Sequence, residues 1–538
     1  MKRLISLITV LLLVAAPAAF AQSTTGTIQV IVTDSSGAPL PGVTVTASAP
    51  DTTTRRTEVT SPDGTATIQS LEPSNQYTVE SSLEGFGRAQ KTNVLVRSAQ
   101  TATVRVTLAM ATVNESITVT ADAPIVDVTS AAVGQELTLE LTESLPTGRS
   151  YQSYLQLVPG VMPDDPGAAG NPASRSGLNY NDIAGDLGVS TDNFYYVEGI
   201  NVTDPVTGTF GANLNTEIIQ EQKVLTGGIP AEFAGAPGLL SSVVTKSGSN
   251  EFSGSVNYYT QNSSLVAENQ HQGASEFSTF DTAATFGGPI VRDRAWFFGS
   301  YRIVEREDDV TSQDTNEFLR TVSNEQRQAF GKLSWQVTEK DRVSGTYTDD
   351  PTDVSGRRDR DVLNTRDRAQ KQGGGRYVLD YNRVFSSNLL LDAAYGEHNG
   401  EVSIFAADPT SIRNEVAFKD THTLAERQLG GEGNLNVNER DTKFAKASLE
   451  GIFDTVVGSH TLKFGAETEE HINFRNSNFA GGAQYTSFGS RYLNGGGITG
   501  ADIASGLVSI IEFDPSNPSD LNGLIRTIDM MTASKKAQ

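Results

Sequence analysis

Cysteine is absent from this 538-residue chain. No disulfide framework can form, and structural zinc sites, which lean on thiolate ligands, are not suggested. The five histidines (His271, His398, His422, His460 and His471) show no metal-ligand spacing. Basic charge is also short: 41 Lys and Arg stand against 64 Asp and Glu, a formal net charge of −23. Nucleic-acid binding rests on phosphate neutralisation, so this balance argues against such a partner. The acidic residues are spread out and read as solubility. After residue 21 no apolar run approaches the ~20 residues of a spanning helix. A mature chain that enters a membrane must then do so as a closed β-barrel, because only helices and barrels satisfy their backbone groups in lipid. Long helical periodicity is missing, whereas 50 glycines amid Ser-, Thr- and Asn-rich sequence suit an all-β protein with many turns.

What is present begins with an export signal. Lys2 and Arg3 precede an apolar run from Leu4 to Ala16, and Ala19-Phe20-Ala21 supplies small residues for cleavage. Residues 1–21 therefore read as a secretory signal peptide, too short for a membrane span.

From residue 23 to 109 short strand patterns recur every 8 to 12 residues. Ile28, Val30 and Val32 alternate; Val43 and Val45, Tyr77 and Val79, Val94 and Val96, then Val104, Val106 and Leu108 follow. Asp63-Gly64 is a hairpin signal. The spacing predicts a small β-sandwich of about seven strands. Gly26 to Asp34, the run Gly37 to Val45, Asp63-Gly64, Tyr77-Thr78-Val79 and Gly85-Phe86 together resemble the carboxypeptidase regulatory-like (prealbumin-like) domain. Related sandwiches include carbohydrate-binding modules. No aromatic platform is legible here, so the turn residues serve the fold on one reading and a sugar on the other.

Residues 123–250 differ in texture. Glu136 to Ser144 is acidic and apolar, followed by Leu145-Pro146-Thr147-Gly148-Arg149 and Leu155 to Gly160. Asn193 to Asn201, Glu217 to Val224, Gly227 to Phe233 and Val243 to Asn250 complete the series. In that order these pieces resemble the plug domain of TonB-dependent outer-membrane transporters, and within them the Oar-like branch, which carries the same N-terminal sandwich. Two departures stand out. Glu198 occupies a position where the branch usually has aspartate, and Leu239-Leu240-Ser241-Ser242 replaces a run richer in glycine and asparagine.

Between sandwich and plug, in the linker 110–122, lies Glu115-Ser116-Ile117-Thr118-Val119-Thr120-Ala121. β-Branched residues favour an extended backbone, and an extended segment without a sheet of its own can pair with another protein's sheet edge. Such a run could equally extend the sandwich's last strand. The resemblance implies that Glu115 to Ala121 is a TonB box, a strand added to TonB chiefly through main-chain hydrogen bonds.

From residue 251 the chain alternates with period two. Phe252, Gly254, Val256 and Tyr258 face one way; Ala295, Phe297, Gly299, Tyr301 and Ile303 form a second set. Leu333, Trp335 and Val337 alternate with Lys332, Ser334 and Gln336, and a tight turn leads to Val343, Gly345 and Tyr347. Tyr377 to Val384 with Leu389 to Tyr395, and Ala445 to Phe453 with Leu462 to Ala466, repeat the hairpin. Long polar connections, roughly 348–372 and 397–442, separate them. Tight turns at one end and long loops at the other mark an outer-membrane barrel. A plugged barrel has 22 strands, and residues 251–538 supply only about ten to fourteen. They read as the N-terminal part of a barrel, incomplete.

The expected fold is thus mainly β: signal peptide, seven-strand sandwich, α+β plug and partial transmembrane antiparallel barrel. The Asp/Arg alternation from Arg357 to Arg368 reads as a solvated loop. Gly373-Gly374-Gly375 and Gly495-Gly496-Gly497 read as turn glycines rather than phosphate loops. With no nucleophile–base constellation and no cofactor motif, enzyme activity is not expected. The resemblance implies energy-coupled uptake of a large or scarce ligand, such as a carbohydrate or peptide. Its partners would be TonB with its inner-membrane energising complex, and outer-membrane lipid. The alternatives are a non-transporting surface or periplasmic glycan-binding protein, or a transporter fragment.

Overall fold

The computed structural model describes the chain except residues 1–23, 111–115, 121–132, 139–140, 142–144, 146–148, 164–182, 185–191, 209, 231–232, 234–237, 267–275, 312–317, 357–367, 407–416, 421–426, 431–434, 456–457, 479–483 and 488–538. The signal peptide, most of the Asp/Arg run, His271, His422 and Gly495 to Gly497 lie outside the described residues.

The sandwich comprises β1 (Gly26–Asp34), β2 (Thr44–Ser48), β3 (Arg55–Val59), β4 (Thr65–Leu71), β5 (Ser74–Ser82), β6 (Arg88–Val96) and β7 (Thr101–Leu108). An eighth strand, β8 (Ser116–Thr120), joins one edge. The sheets run β4-β1-β7 and β3-β2-β5-β6-β8. Every alternating apolar residue expected inside is inside: Ile28, Val30, Val32, Val43, Val45, Tyr77 and Val79 are wholly buried, joined by Val94, Val96, Val104, Val106 and Leu108. Each such Val, Leu or Ile contributes about 1.5–3 kcal/mol relative to exposure. Asp63-Gly64 does not close a hairpin between paired strands. It carries the chain from β3 in one sheet to β4 in the other, with Gly64 at φ +78° and the turn closed by Ser61 N donating to Thr65 O at 2.9 Å.

The middle unit holds β9 (Val133–Thr138), helix α1 (Tyr151–Leu155), β10 (Met162–Pro163), β11 (Ile183–Ala184), β12 (Phe194–Val197), β13 (Ile200–Asn201), β14 (Ile219–Gly227) and β15 (Leu240–Thr245). Its five-stranded sheet runs β13-β12-β15-β14-β9. Ser150 caps α1, its Oγ accepting from Ser153 N at 3.1 Å while Ser153 Oγ accepts from Ser150 N at 3.1 Å, a reciprocal box. Tyr151 stacks on Phe210 at 4.1 Å, and Tyr195 meets Phe210 edge-on at 5.3 Å. Leu239 and Leu240, the departure noted in the sequence, are fully buried.

The wall comprises β16 (Ser253–Asn262), β17 (Phe277–Val291), β18 (Ala295–Thr311), β19 (Phe318–Gln336), β20 (Asp341–Asp349), β21 (Thr352–Ser355), β22 (Arg368–Gly373), β23 (Gly375–Ser386) and β24 (Leu389–Ala406). After β25 (Ala417–Asp420) and β26 (Arg427–Gly430) it resumes with β27 (Leu435–Thr455) and β28 (Gly458–Asn478); β29 (Gln484–Ser487) pairs with β25 in a small separate sheet. Eleven segments share the main sheet, with β16 and β28 outermost among the described residues. β20 with β21, and β22 with β23, are single paths broken at Asp350-Pro351 and Gly374, so among the described residues the eleven trace nine paths. At the second break Gly374 sits at φ +156° and a Cβ there would meet Asn399 O, which accounts for the glycines.

The strands outrun the membrane. β27 and β28 each have 21 residues, about twice the ~9–11 a tilted spanning strand needs. Much of what reads as long loop in 348–372 and 397–442 is therefore paired strand, since polar side chains do not prevent main-chain pairing beyond the lipid. Along the wall the burial sense is reversed. Leu333, Trp335, Tyr377, Leu379, Phe453, Leu462 and Phe464 are exposed on the outside, whereas Lys332, Ser334, Arg342, Thr346, Arg376 and Lys446 are buried within. Apolar-out and polar-in is the pattern of a barrel in lipid.

Candidate functional site: the docking strand and the plug lock

Of the seven residues singled out as a docking strand, Glu115 and Ala121 lie outside the described residues. Ser116, Ile117, Thr118, Val119 and Thr120 form β8, with a backbone partner the sequence did not suggest. The segment pairs in parallel with β6, Arg88 opposite Ser116 through Thr92 opposite Thr120. β8 is the last strand of its sheet, so one edge meets β6 and the other has no strand partner among the described residues.

A second set of residues ties the middle unit to the wall. Arg149, at φ +52° just before α1, donates from Nη2 to Glu217 Oε1 at 2.6 Å and from Nε to Asp281 Oδ2 at 2.9 Å. Asp281 on β17 also accepts from Arg302 Nε at 2.9 Å and Nη2 at 2.8 Å, and Arg302 Nη2 reaches Arg149 O at 2.9 Å. Asn257 Nδ2 donates to Glu217 Oε2 at 2.8 Å, and the Arg149 guanidinium lies 3.6 Å over the Tyr259 ring. Burial opposes charge on Arg149, but the Glu217 hydrogen bond and Asp281 outweigh it and hold the guanidinium more basic than usual.

Glu198 makes the second tie. Glu198 and Gly199 form the two-residue turn between β12 and β13, at φ +53° and +69°. Asp-Gly is the favoured pair for such a turn, and a longer side chain at positive φ carries strain of roughly 1–2 kcal/mol. The extra reach has a use: Glu198 Oε1 accepts from Thr245 N at 2.6 Å and Thr245 Oγ1 at 2.8 Å, and Oε2 accepts from Lys332 Nζ at 2.8 Å. Lys446 Nζ donates to Gly199 O at 2.8 Å from another strand of the wall. Near the hairpin, Arg440 pairs with Asp204 beside a small cavity of about 50 Å³ that His398 also lines. Sequence reading noticed Glu198 and Lys332 separately. It missed that Arg149 and Glu217 of the plug pieces meet Asp281 and Arg302 of the wall, where the only signal was charge at strand positions that a lipid face would exclude.

Among the described residues no His, Asp or Glu cluster suited to a metal is present. The arrangement is a buried sheet held inside the wall by ion pairs and hydrogen bonds rather than by covalent links.

A wall with a lipid-facing exterior and polar interior, filled by such a sheet, defines a plugged outer-membrane barrel. Comparison with known proteins agrees. The carboxypeptidase regulatory-like domain model matches residues 27–109, and the outer membrane beta barrel domain model matches residues 244–317 and 306–519. The TonB-dependent transporter Oar of Myxococcus xanthus is 30% identical over 53% of this chain and 27% of its own length. A probable TonB-dependent siderophore receptor, PirA of Acinetobacter baumannii, is 26% identical over 43% of this chain and 30% of its own. The crystal structure of the outer-membrane transporter YddB from Escherichia coli superposes with a TM-score of 0.52 at 16% identity, covering 64% of this chain and 48% of that one. The chain belongs to the TonB-dependent receptor family of outer-membrane β-barrel proteins. Its matches span under half the length of these relatives, which are named as transporters and receptors, not enzymes.

Proposed function

We propose that this chain carries the coupling and gating parts of an energy-coupled receptor that takes up a large or scarce ligand across the outer membrane. Its sandwich lies in the periplasm, and residues 115–121 are the strand that TonB captures. The observation that carries this reading is the pairing of a plug held to the wall by the buried ion pairs Arg149–Asp281 and Lys332–Glu198 with an edge strand upstream of it on the same chain. TonB would add its strand to the 116–120 backbone, and work done on that strand would reach the plug through residues 121–132. The ligand on this reading is a carbohydrate, the class the sandwich suggests, or a peptide. PirA, named as a siderophore receptor, makes a metal chelate a second candidate. The plug's division from its neighbours near residues 109, 122 and 250 belongs to the same proposal.

Thr118→Pro tests the docking strand. It removes a main-chain donor from the middle of β8, so capture by an immobilised TonB C-terminal domain should fall at least tenfold. Undiminished capture would remove residues 115–121 from the coupling path.

A further inference from the structure

The sandwich does not hang free of the barrel. Glu72, at the corner between β4 and β5, is buried, and its two carboxylate oxygens serve different bodies. Oε2 stays within the sandwich, accepting from Thr53 N at 2.7 Å and Thr53 Oγ1 at 2.6 Å. Oε1 leaves it, accepting from Ser247 Oγ at 2.7 Å and from Arg342 Nη2. Ser247 lies just after β15, where the plug becomes the barrel, and Arg342 stands at the start of β20. Arg342 Nη1 also donates to Thr54 Oγ1 at 3.1 Å, and Arg56 Nη1 to Glu339 O at 2.6 Å in the β19–β20 turn.

A second contact lies on the plug's own sheet. Ser98 N and Oγ donate to Glu221 Oε1 at 3.3 and 2.5 Å, and Gln100 Nε2 donates to Glu136 Oε1 at 2.9 Å. Arg97 pairs with Glu136 as well. Between the two contacts is a cavity of about 490 Å³. Burial alone would favour a neutral Glu72, yet Arg342, Lys332 and the Thr53 and Ser247 hydrogen bonds hold its carboxyl down at about 2. A charge kept buried at such a junction is costly to leave unpaired.

From this junction we infer that the N-terminal sandwich is a latch on the plug, with Glu72 as the bolt joining sandwich, plug exit and barrel rim. The inference rests on the proposed coupling for its purpose but not for its geometry. β8 is paired with β6 of the sandwich, Arg88 opposite Ser116 through Thr92 opposite Thr120. A strand pulling on 116–120 therefore loads the sandwich directly. The latch takes the load before β9 does, and the plug moves once the latch opens.

The test is hydrogen exchange on the full chain in lipid nanodiscs, comparing wild type with Glu72→Gln, Arg342→Gln and the double variant. The latch predicts at least tenfold faster exchange at 240–247 and 53–54 in either single variant, with the double no faster than the singles. Exchange in β23 and β24 should be unchanged. Faster exchange at 53–54 alone would overturn the latch, because the sandwich would then be tethered without holding the plug. If Glu72→Gln unfolds the sandwich, amides of β5 exchange with the rest, and Arg342→Gln, which leaves the sandwich core intact, decides the matter. TonB-domain capture is measured on the same variants. Loss of capture in wild type would sink the coupling proposal while leaving the exchange result to judge the latch.

Discussion

The sandwich and the barrel wall are written in the same two-residue period and folded with opposite sense. In β1 the apolar set Ile28, Val30 and Val32 is wholly buried, and the residues that alternate with it, Gln29, Ile31 and Thr33, are only partly buried. In β19 the apolar Leu333 and Trp335 are 60% and 55% exposed, while Lys332 and Ser334 between them are 5% and 3% exposed. Alternation therefore fixes which residues share a face but not which face meets the solvent. The deciding information is what fills the other side. Sixteen buried apolar residues meet between the two sheets of the sandwich, whereas the wall's inner face meets a plug that offers carboxylates and hydroxyls to its cations.

The contrast is broken most strongly from the polar inside. Lys332→Met leaves Glu198 buried without its cation, which costs about 3–5 kcal/mol. Urea melts followed by proteolysis of the plug should show a loss of that size, and a loss below about 1 kcal/mol would mean Glu198 relies on Thr245 alone. A matched pair of substitutions then sharpens the two senses of burial. Ile28→Ala should destabilise the sandwich by about 2–5 kcal/mol through the cavity it opens. Leu333→Arg, three residues from the end of β19, should instead hinder membrane insertion, by about 1–2 kcal/mol between interface and midplane, and leave the sandwich's own melt unchanged. Equal damage to the sandwich from both would contradict the assignment of Leu333 to lipid.

The smallest effect concerns pH at the sandwich–plug contact. Burial, and then Glu136, push the Glu221 carboxyl from its ordinary 4.5 up to about 7. The folded contact favours the protonated acid, so its contribution is full below about 4.5 and is lost as pH rises through about 7. A displacement of this size corresponds to at most ~3 kcal/mol. Lys223, whose Nζ reaches Ser98 O, and the Arg97 beside Glu136 face the same group and temper the effect. Exchange at Ser98, divided by its intrinsic base-catalysed rate, should quicken between about pH 4.5 and 7, and Glu221→Gln should flatten that corrected slope. A slope that survives Glu221→Gln would assign the titration to another group.

Much of this was legible in the sequence. The sandwich core residues and the wall hairpins at 336–341 and 386–389 fall where period and turns place them, whereas the plug pieces were legible only as a resemblance. What escaped was long-range. Asp63-Gly64 carries a hairpin signature, but whether a turn joins paired strands or crosses between sheets depends on partners far away in sequence. The Arg149 quartet and the Glu72 junction draw on residues more than 60 positions apart, and no local pattern records such a meeting. The partner of β8 was missed for the same reason, since Arg88 to Thr92 looks like any polar strand.

The central claim is that the wall from β16 to β28 faces lipid with its apolar set and the plug with its polar set. The chain's lack of cysteine makes this directly measurable. Single substitutions Leu333→Cys, Trp335→Cys, Ser334→Cys and Thr346→Cys, each labelled with a thiol-reactive fluorophore in vesicles, are challenged with a quencher carried on lipid acyl chains. Strong quenching at 333 and 335 with little at 334 and 346 is the predicted result. Quenching equal at all four positions, or stronger at 334 and 346, would contradict the account.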